Sequence, residues 1–477
     1  MNAYNASDPA VLSLDDLIDN QKFGKPAVIF LLVAILAMTA DGFDVSLMGY
    51  VGPELVKSWH IAAPDLVPVL SAGIFGLLFG APLFGMIGDR IGRKNGILFA
   101  LSAFGVFTLL STAATSLNEL VILRFLASLG LGGLVPNIIA LAAEIAPKRL
   151  RGMFVIIVNF GFPAGIALSG WVAALFVPKF GWPVLFLVGG VVPLLVALFV
   201  FLFLQESLRY LLQRGDRQDQ LRRQIKALRP EVAMDERTRF VAPSHVAVRH
   251  SGSPIKLFSG GLALITPLLW IVLAANQFTN FFTVSWLPLL LQSTGSSTAQ
   301  AAVSASMFPV GGIVGGLVLL FIVDRFGAIP VVALFAIGAP LVALIGIGNL
   351  PRGVIGGIIA GAGFCVTGNN FAINAILGMI YPTSVRSTGA GWAQALGRIG
   401  ALGAQFAGGM LLAKHLSPQE VFLAPAAALA LAAVASGLLV LLCFRKFAGL
   451  RIGDTTAAPD AAALDTSAEP NVAPMAS

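Results

Sequence analysis

At 477 residues, 57% hydrophobic and only 11% charged, the chain has less than half the charge of an average soluble domain, which holds about 25%. Its mean hydropathy of +0.88 excludes the soluble class and makes it an integral membrane protein. The net charge of +7 is unevenly placed, and the placement carries more information than the sum.

The first 25 residues are polar and hold Asp8, Asp15, Asp16 and Asp19. They lack the basic start and small-residue cleavage site of a signal peptide. Ser13-Leu-Asp-Asp-Leu-Ile-Asp19 predicts a short helix with Ser13 as N-cap and acids in its first turn. Leu14, Leu17 and Ile18 form an apolar edge, expected on the membrane surface. Apolar runs then predict helices near 27–50, 65–88, 96–115, 118–146, 152–177, 182–204, 262–291, 299–323, 329–348, 352–379, 386–413 and 420–444. They are as long as membrane-spanning helices and too uniformly apolar for the alternating strands of a barrel. The expected organisation is an N-terminal segment (1–25), six helices (26–204), a polar central loop (205–261), six helices (262–446) and a disordered tail (447–477).

Lys and Arg set the orientation. With the N-terminus in the cytoplasm, 24 of the 30 fall on the cytoplasmic side and only Lys57, Lys179, Arg352 and Lys414 outside. Arg124 and Arg398 remain within helices. Both termini are therefore expected in the cytoplasm. The basic central loop has almost no interleaved aromatics, so the same bias explains it without nucleic acid. The two cysteines, Cys365 and Cys443, sit in apolar runs, and the four His (His60, His245, His250, His415) lie in or beside loops. No disulfide framework, metal-ligand spacing or catalytic set of side chains appears, so no cofactor and no enzyme is expected.

Asp41 and Asp44 stand within the first apolar run. A carboxylate at the bilayer centre costs on the order of 3 kcal/mol even on lenient scales, so such groups mark pathways. Asp41 lies roughly 21 Å above the inner end of its helix, and Arg124 reaches the same level from the outer end of the fourth. Asp41, Asp44 and Arg124 are therefore expected to meet. Two acids against one guanidinium leave one acid uncompensated, which suits a proton carrier; a static ion pair is the alternative.

Arg398 lies ~18 Å into its helix, and no acid in the second half shares its depth. A substrate carboxylate held by two parallel hydrogen bonds is the natural partner. The alternative is pairing with backbone carbonyls, or with Asp41 or Asp44 across a cavity. Asn276, Gln277, Phe278 and Asn280 in the seventh helix, with Trp392 and Gln394 beside Arg398, supply amides and aromatic walls for such a substrate. Each of them serves equally as helix packing.

The loop Gly85-x-x-Gly88-Asp89-Arg90-x-Gly92-Arg93-Lys94 has a degenerate second copy at Asp324-Arg325-x-Gly327. Such internal repeats build many transporters, with the substrate site between the halves at mid-membrane. Asp89, Arg90, Arg93, Glu144, Asp324 and Arg325 lie at the inner rim, where charge networks can gate the halves; ordinary solvated charges are the alternative. The glycine-rich runs at Gly130–Gly133 and Gly311–Gly316 allow close helix packing and are not phosphate loops.

The first of these loops resembles the signature of the major facilitator superfamily. Glu206-Ser-Leu-Arg209 resembles its Pro-Glu-Ser-x-Arg motif, with Gln205 in place of proline. Within it, Asp41-Gly-Phe-Asp44, Asp16-Leu-Ile-Asp19 and Tyr381-Pro-Thr-x-Val-Arg386-x-Thr-Gly389 resemble the aromatic acid:proton symporters. The resemblance covers about residues 15–450. It implies an all-α membrane protein of twelve transmembrane helices in two pseudo-symmetric six-helix bundles. It implies import of a 4-hydroxybenzoate-, protocatechuate- or benzoate-like carboxylate with a proton, by alternating access, through the bacterial inner membrane and without need of an oligomer. It also implies transport roles for the first-helix acids, Arg124, Glu144, the loop aspartates and Arg398. Another organic anion, a sugar or an exported drug on the same fold is the nearest rival, and a membrane enzyme or sensor a more distant one.

Overall fold

A computed structural model of the chain describes residues 11–21, 24–214, 218–228, 238–241, 254–259, 262–347, 351–381 and 385–447. Nearly all of the expected tail, residues 448–477, lies outside the described residues. In chain order the elements begin with strand β1 (Val11–Ser13) and helix α1 (Leu14–Asp19). The first half follows as α2 (Lys25–Ser58), α3 (Val67–Ile91), α4 (Arg93–Leu110), α5 (Leu117–Gly132), α6 (Leu134–Ile145), α7 (Arg151–Asn159), α8 (Gly161–Phe180) and α9 (Pro183–Phe203). The central segment holds α10 (Leu208–Arg214), α11 (Gln218–Leu228) and strand β2 (Arg239–Val241). The second half is α12 (Ile265–Ser293), α13 (Thr298–Phe326), α14 (Ile329–Ile345), α15 (Arg352–Ile380), α16 (Arg386–Ala413) and α17 (Pro418–Phe447).

Among the described residues, eleven segments are long and apolar enough to cross a membrane, and α14 is a shorter twelfth. At 1.5 Å per residue its 17 residues still reach about 26 Å. The fold is thus the all-α, twelve-span architecture expected, because lipid leaves helices as the only way to pair every backbone group. Two spans are broken. The fourth bends at Gly133, between α5 and α6, and the fifth at Phe160, between α7 and α8. Pro136 and Pro163 lie three residues beyond these breaks, where each removes the N–H that would have bonded back four residues.

Within the halves, α2 lies along α8, α3 along α5, α12 along α16, and α13 along α15. The halves meet where α8 packs on α13, α2 on α12, and α3 on α16. Interior glycines make these approaches possible. A Cβ on Gly49 would run into the Val284 carbonyl of the other half.

The N-terminal segment departs from expectation. Ser13 does cap α1, accepting a hydrogen bond from the Asp16 amide at 3.4 Å. The apolar edge of α1, however, does not lie on the membrane. Leu14, Leu17 and Ile18 bury against Leu211, Leu221, Ile225 and Phe240 of the central segment. β1 pairs in parallel with β2, Val11 opposite Arg239, and Asp15 takes Arg209 at 2.7 Å. A second hydrophobic partner was available from the chain itself, and burial there satisfies the apolar edge without lipid. The unit is fastened to the first half by Gln21, whose amide donates to the Ile145 carbonyl, and by Asp19, which pairs with Lys148 at 2.8 Å. That contact pushes the Lys148 ammonium up from its ordinary range, through its hydrogen bond to and attraction by Asp19.

The signature loop is held by Glu206, which is 6% exposed. Its Oε1 accepts from the backbone N–H of Lys94 (3.0 Å) and of Ser207 (2.9 Å). The carboxylate thus serves as an anionic cap on the start of α4. Burial pushes the Glu206 carboxyl up, and the backbone donors oppose that. Gly92 adopts φ +102° and ψ 155°, with Glu206 where a Cβ would lie. This region belongs almost solely to glycine. Gly92→Ala should cost about 1–3 kcal/mol, seen as a lower thermal midpoint of the purified protein; an unchanged midpoint would refute this account of the loop.

Candidate functional site

Three long helices bring the buried charges together. Asp44 of α2 and Arg124 of α5 form a fork, Nη1 to Oδ1 at 2.5 Å and Nη2 to Oδ2 at 2.8 Å. Their side chains are 2% and 4% exposed. Arg124 Nη2 also donates to the Asp44 carbonyl at 3.4 Å. The depth arithmetic set Arg124 level with Asp41; the structure gives the guanidinium to Asp44, one turn further along α2.

Asp41 is buried as well but does not join the fork. It has neither a hydrogen bond nor an ion pair among the described residues. The charges it feels are Asp44, one turn away, and Arg398 of α16. Arg398 in turn donates through Nη1 to the Leu77 carbonyl of α3 at 3.2 Å. The expected cluster of two acids and one Arg is thus two unequal pairs: a tight one, Asp44–Arg124, and a loose one across the interface, Asp41–Arg398. Both alternatives raised for Arg398, a backbone carbonyl and an acid across the cavity, are present together.

The amide and aromatic candidates divide. Gln277 packs against Gly397, adjacent to Arg398, and its Oε1 has no partner among the described residues. Gln394 shares a face of α16 with Arg398, four residues away, and its Nε2 donates to Asn374 at 2.7 Å on an exposed surface. Asn280 turns into the second half, where its Oδ1 accepts from Thr367 at 2.9 Å. Asn276 is fully buried, and neither of its amide atoms finds a partner among the described residues. Phe278 stacks on Phe282 with centroids 5.9 Å apart. Trp392 stacks on Trp270 at 6.2 Å, a level nearer the central segment than Arg398. The structure therefore relates Asp41 to Arg398, sets Gln277 against the residue next to Arg398 and Gln394 one turn from it on α16, buries Asn276 and Asn280, and leaves Trp392 partly exposed.

The family model described as Major Facilitator Superfamily matches residues 33–402. The chain belongs to the major facilitator superfamily. It is 33% identical over 444 residues to a 4-hydroxybenzoate transporter, PcaK, of Pseudomonas putida, spanning 92% of this chain and 98% of that one. It is 34% identical to a gallate transporter of the same species, over 90% of this chain and 96% of the relative. Among solved structures, a bacterial homologue of the human lysosomal transporter Spinster superposes with a TM-score of 0.67 at 16% identity, covering 90% of this chain and all of that one. The xylose transporter XylE from E. coli gives 0.64 at 18% identity, covering 88% and 97%.

In this superfamily member the two rims differ. At the end remote from the central segment the halves are linked. Lys57 Nζ donates to Gln292 at 2.7 Å, and Thr298 donates to Glu54 at 2.8 Å. At the central-segment end the charges pair within the first half. Arg93 holds Asp89 at 2.5 Å and Glu144 at 3.4 Å. The Arg90 side chain is exposed while its carbonyl accepts from Tyr210 and Arg214. Arg325 lies over the Phe326 ring. The side chain of Asp324 lies outside the described residues. Among those described, no ion pair joins the halves at this rim.

Two residues that the sequence reading passed over lie beside the Asp44–Arg124 pair: Gln405 of α16 and Ser285 of α12. The available signal was spacing, since Gln405 is seven residues beyond Arg398 and repeats its helical face.

Proposed function

We propose that this protein carries an aromatic carboxylate, of the 4-hydroxybenzoate, protocatechuate or benzoate kind, together with a proton. The observation that carries the reading is Arg398: a guanidinium within a membrane-spanning helix at the interface between halves, with no carboxylate in contact among the described residues. A substrate carboxylate fills that position with the bidentate geometry a guanidinium favours. Gln277 and Gln394 then supply amides for ring substituents. The names of the relatives support the same cargo.

Coupling follows from the loose pair. When a substrate carboxylate takes Arg398, Asp41 loses its nearest opposite charge while keeping Asp44 beside it. An uncompensated carboxylate buried there is costly, and a proton taken up by the Asp41–Asp44 pair relieves it. Substrate and proton therefore favour each other's binding, which is the reciprocity that symport needs.

Alternating access uses the two rims. The far rim is shut by the Lys57 and Thr298 links, and among the described residues no ion pair joins the halves at the rim nearer the central segment. The basic bias of the central segment and flanking loops supports placing that rim, and both termini, in the bacterial cytoplasm. In this reading the six-span halves rock as units and a single chain suffices. Closure at the inner rim moves Asp89, Arg93, Glu144 and the Asp324-Arg325 repeat toward one another.

The test is uptake of labelled 4-hydroxybenzoate into proteoliposomes, with and without an inwardly directed proton gradient. Gradient-driven accumulation that other benzoate-like acids compete away is the expected result. No accumulation would move the cargo to dicarboxylates, sugars or drugs.

A further inference from the structure

Beside the Asp44–Arg124 fork lies a small cavity of about 30 Å³, space for one or two waters. Both halves line it: Asp44, Arg124 and Ser128 from the first, Phe281, Ser285 and Gln405 from the second. Gln405 is 1% exposed. Its Nε2 donates to Ser285 Oγ at 3.0 Å, and its Oε1 has no partner among the described residues. Arg124 Nε is likewise buried and unpartnered, since the two terminal nitrogens are the ones turned to Asp44. The cavity is therefore lined by a carboxylate, a guanidinium, a hydroxyl on each side and an amide, enough for the two to four polar partners a buried water requires.

Its position matters as much as its chemistry. Gln405 is seven residues beyond Arg398 along α16, about 10 Å nearer the far rim. Immediately beyond it the halves seal. Gly409 packs against Val67 of α3, and Gly49 faces the Val284 carbonyl. The cavity is thus a polar space between Asp44 and the closed rim. The charged groups around Asp44 are Arg124 in contact, Asp41 one turn below, and Arg398 facing Asp41. To this cavity α12 and α16 present no charge, only Phe281, Ser285 and Gln405.

We infer that this cavity is the water-filled proton-loading pocket of Asp44, and that Gln405, anchored by Ser285, is its lid. The inference deepens the proposed symport and rests on it. With the far rim open, the second half carries Gln405 and Ser285 away, and the pocket becomes the floor of the outer vestibule. A hydronium ion arriving there breaks one of its O–H bonds and forms one on the Asp44 carboxylate. It leaves as water, and the Arg124 guanidinium stays charged and gives up part of its fork. With the far rim shut, as seen here, Gln405 closes over the pocket, and the proton on Asp44 no longer exchanges with the outside. Gln405 is a positioning residue: it touches neither the aromatic substrate nor Asp44 itself.

The test compares two modes of the same vesicles. Counterflow exchanges labelled for unlabelled 4-hydroxybenzoate with no net proton movement; gradient-driven accumulation requires the proton. In Gln405→Ala the lid is too short, Asp44 reaches both sides, and the ratio of accumulation to counterflow should fall at least tenfold. Substrate-free proton entry, read by a trapped pH dye under an imposed gradient, should rise in parallel. Ser285→Ala should shift both in the same direction by less. Should Gln405→Ala not fold, Gln405→Asn, one methylene shorter, serves instead. An unchanged ratio with no added proton entry overturns the inference, as does an equal loss of both modes, which would mean a packing role alone. Absence of counterflow in the unaltered protein would instead count against the aromatic carboxylate, and the dye measurement would then decide on the lid by itself.

Discussion

Replacing Arg124 with leucine should destabilise the protein by about 3–5 kcal/mol, the cost of leaving one partner of a buried ion pair uncompensated. Asp44 would remain 2% exposed with no cation in contact. The expected reading is a large drop in the thermal midpoint of the purified protein, or failure to accumulate in the membrane. The double variant Asp44→Asn with Arg124→Leu removes both charges and should recover most of that stability, because a buried pair as a whole is worth little. It should not recover proton-driven uptake. Asp44→Asn and Asp41→Asn alone should each lose uphill accumulation, and full accumulation in either would sink the proton-site reading for that residue. The pair of measurements separates a structural ion pair from a working one, since a purely structural pair would return activity along with stability.

Arg398→Ala should raise the KM for counterflow of 4-hydroxybenzoate about 10- to 150-fold. Hydrogen bonds to a charged group contribute about 1.5–3 kcal/mol, and each 1.4 kcal/mol is tenfold. Arg398→Lys keeps the charge but not the planar fork, so its KM should fall between the two. The maximal rate should change less than the KM, because the guanidinium holds the substrate in both states of the carrier. An unchanged KM in Arg398→Ala would place the carboxylate anchor elsewhere.

These residues were legible before the structure to different degrees, for physical reasons. Helical rise puts Asp41 and Arg124 at one level, and the fork forms one turn away, at Asp44. Rise does not say which acid takes the guanidinium. Three residues along a helix leave two side chains about 60° apart, enough to turn Asp44 to α5 and Asp41 to α16. The same limit explains Asn276 and Asn280. Their spacing shows that they share a face of α12, but not that the face points into the second half. The residue that meets α16 beside Arg398 is Gln277, a quarter-turn round. Gln405 repeats the face of Arg398, yet an amide in a membrane helix is ordinarily a link between helices. Only the unpaired oxygen beside Asp44 sets it apart. The N-terminal helix shows the limit most plainly: its cap and its apolar edge were readable, but its partner is two helices and one strand that the polar central segment conceals.

That pairing also bears on how the protein is made. β1 and β2 are neighbours in space with all six first-half spans between them in the chain. Chains emerge from the ribosome N-terminal end first, and domains settle as units on the way. Val11 must therefore wait, unpaired, until Arg239 has been synthesised. By then the first half is complete and none of α12 to α17 exists. The strand pair closes as a clasp at the midpoint of translation, fastening the first bundle before the second is inserted against it.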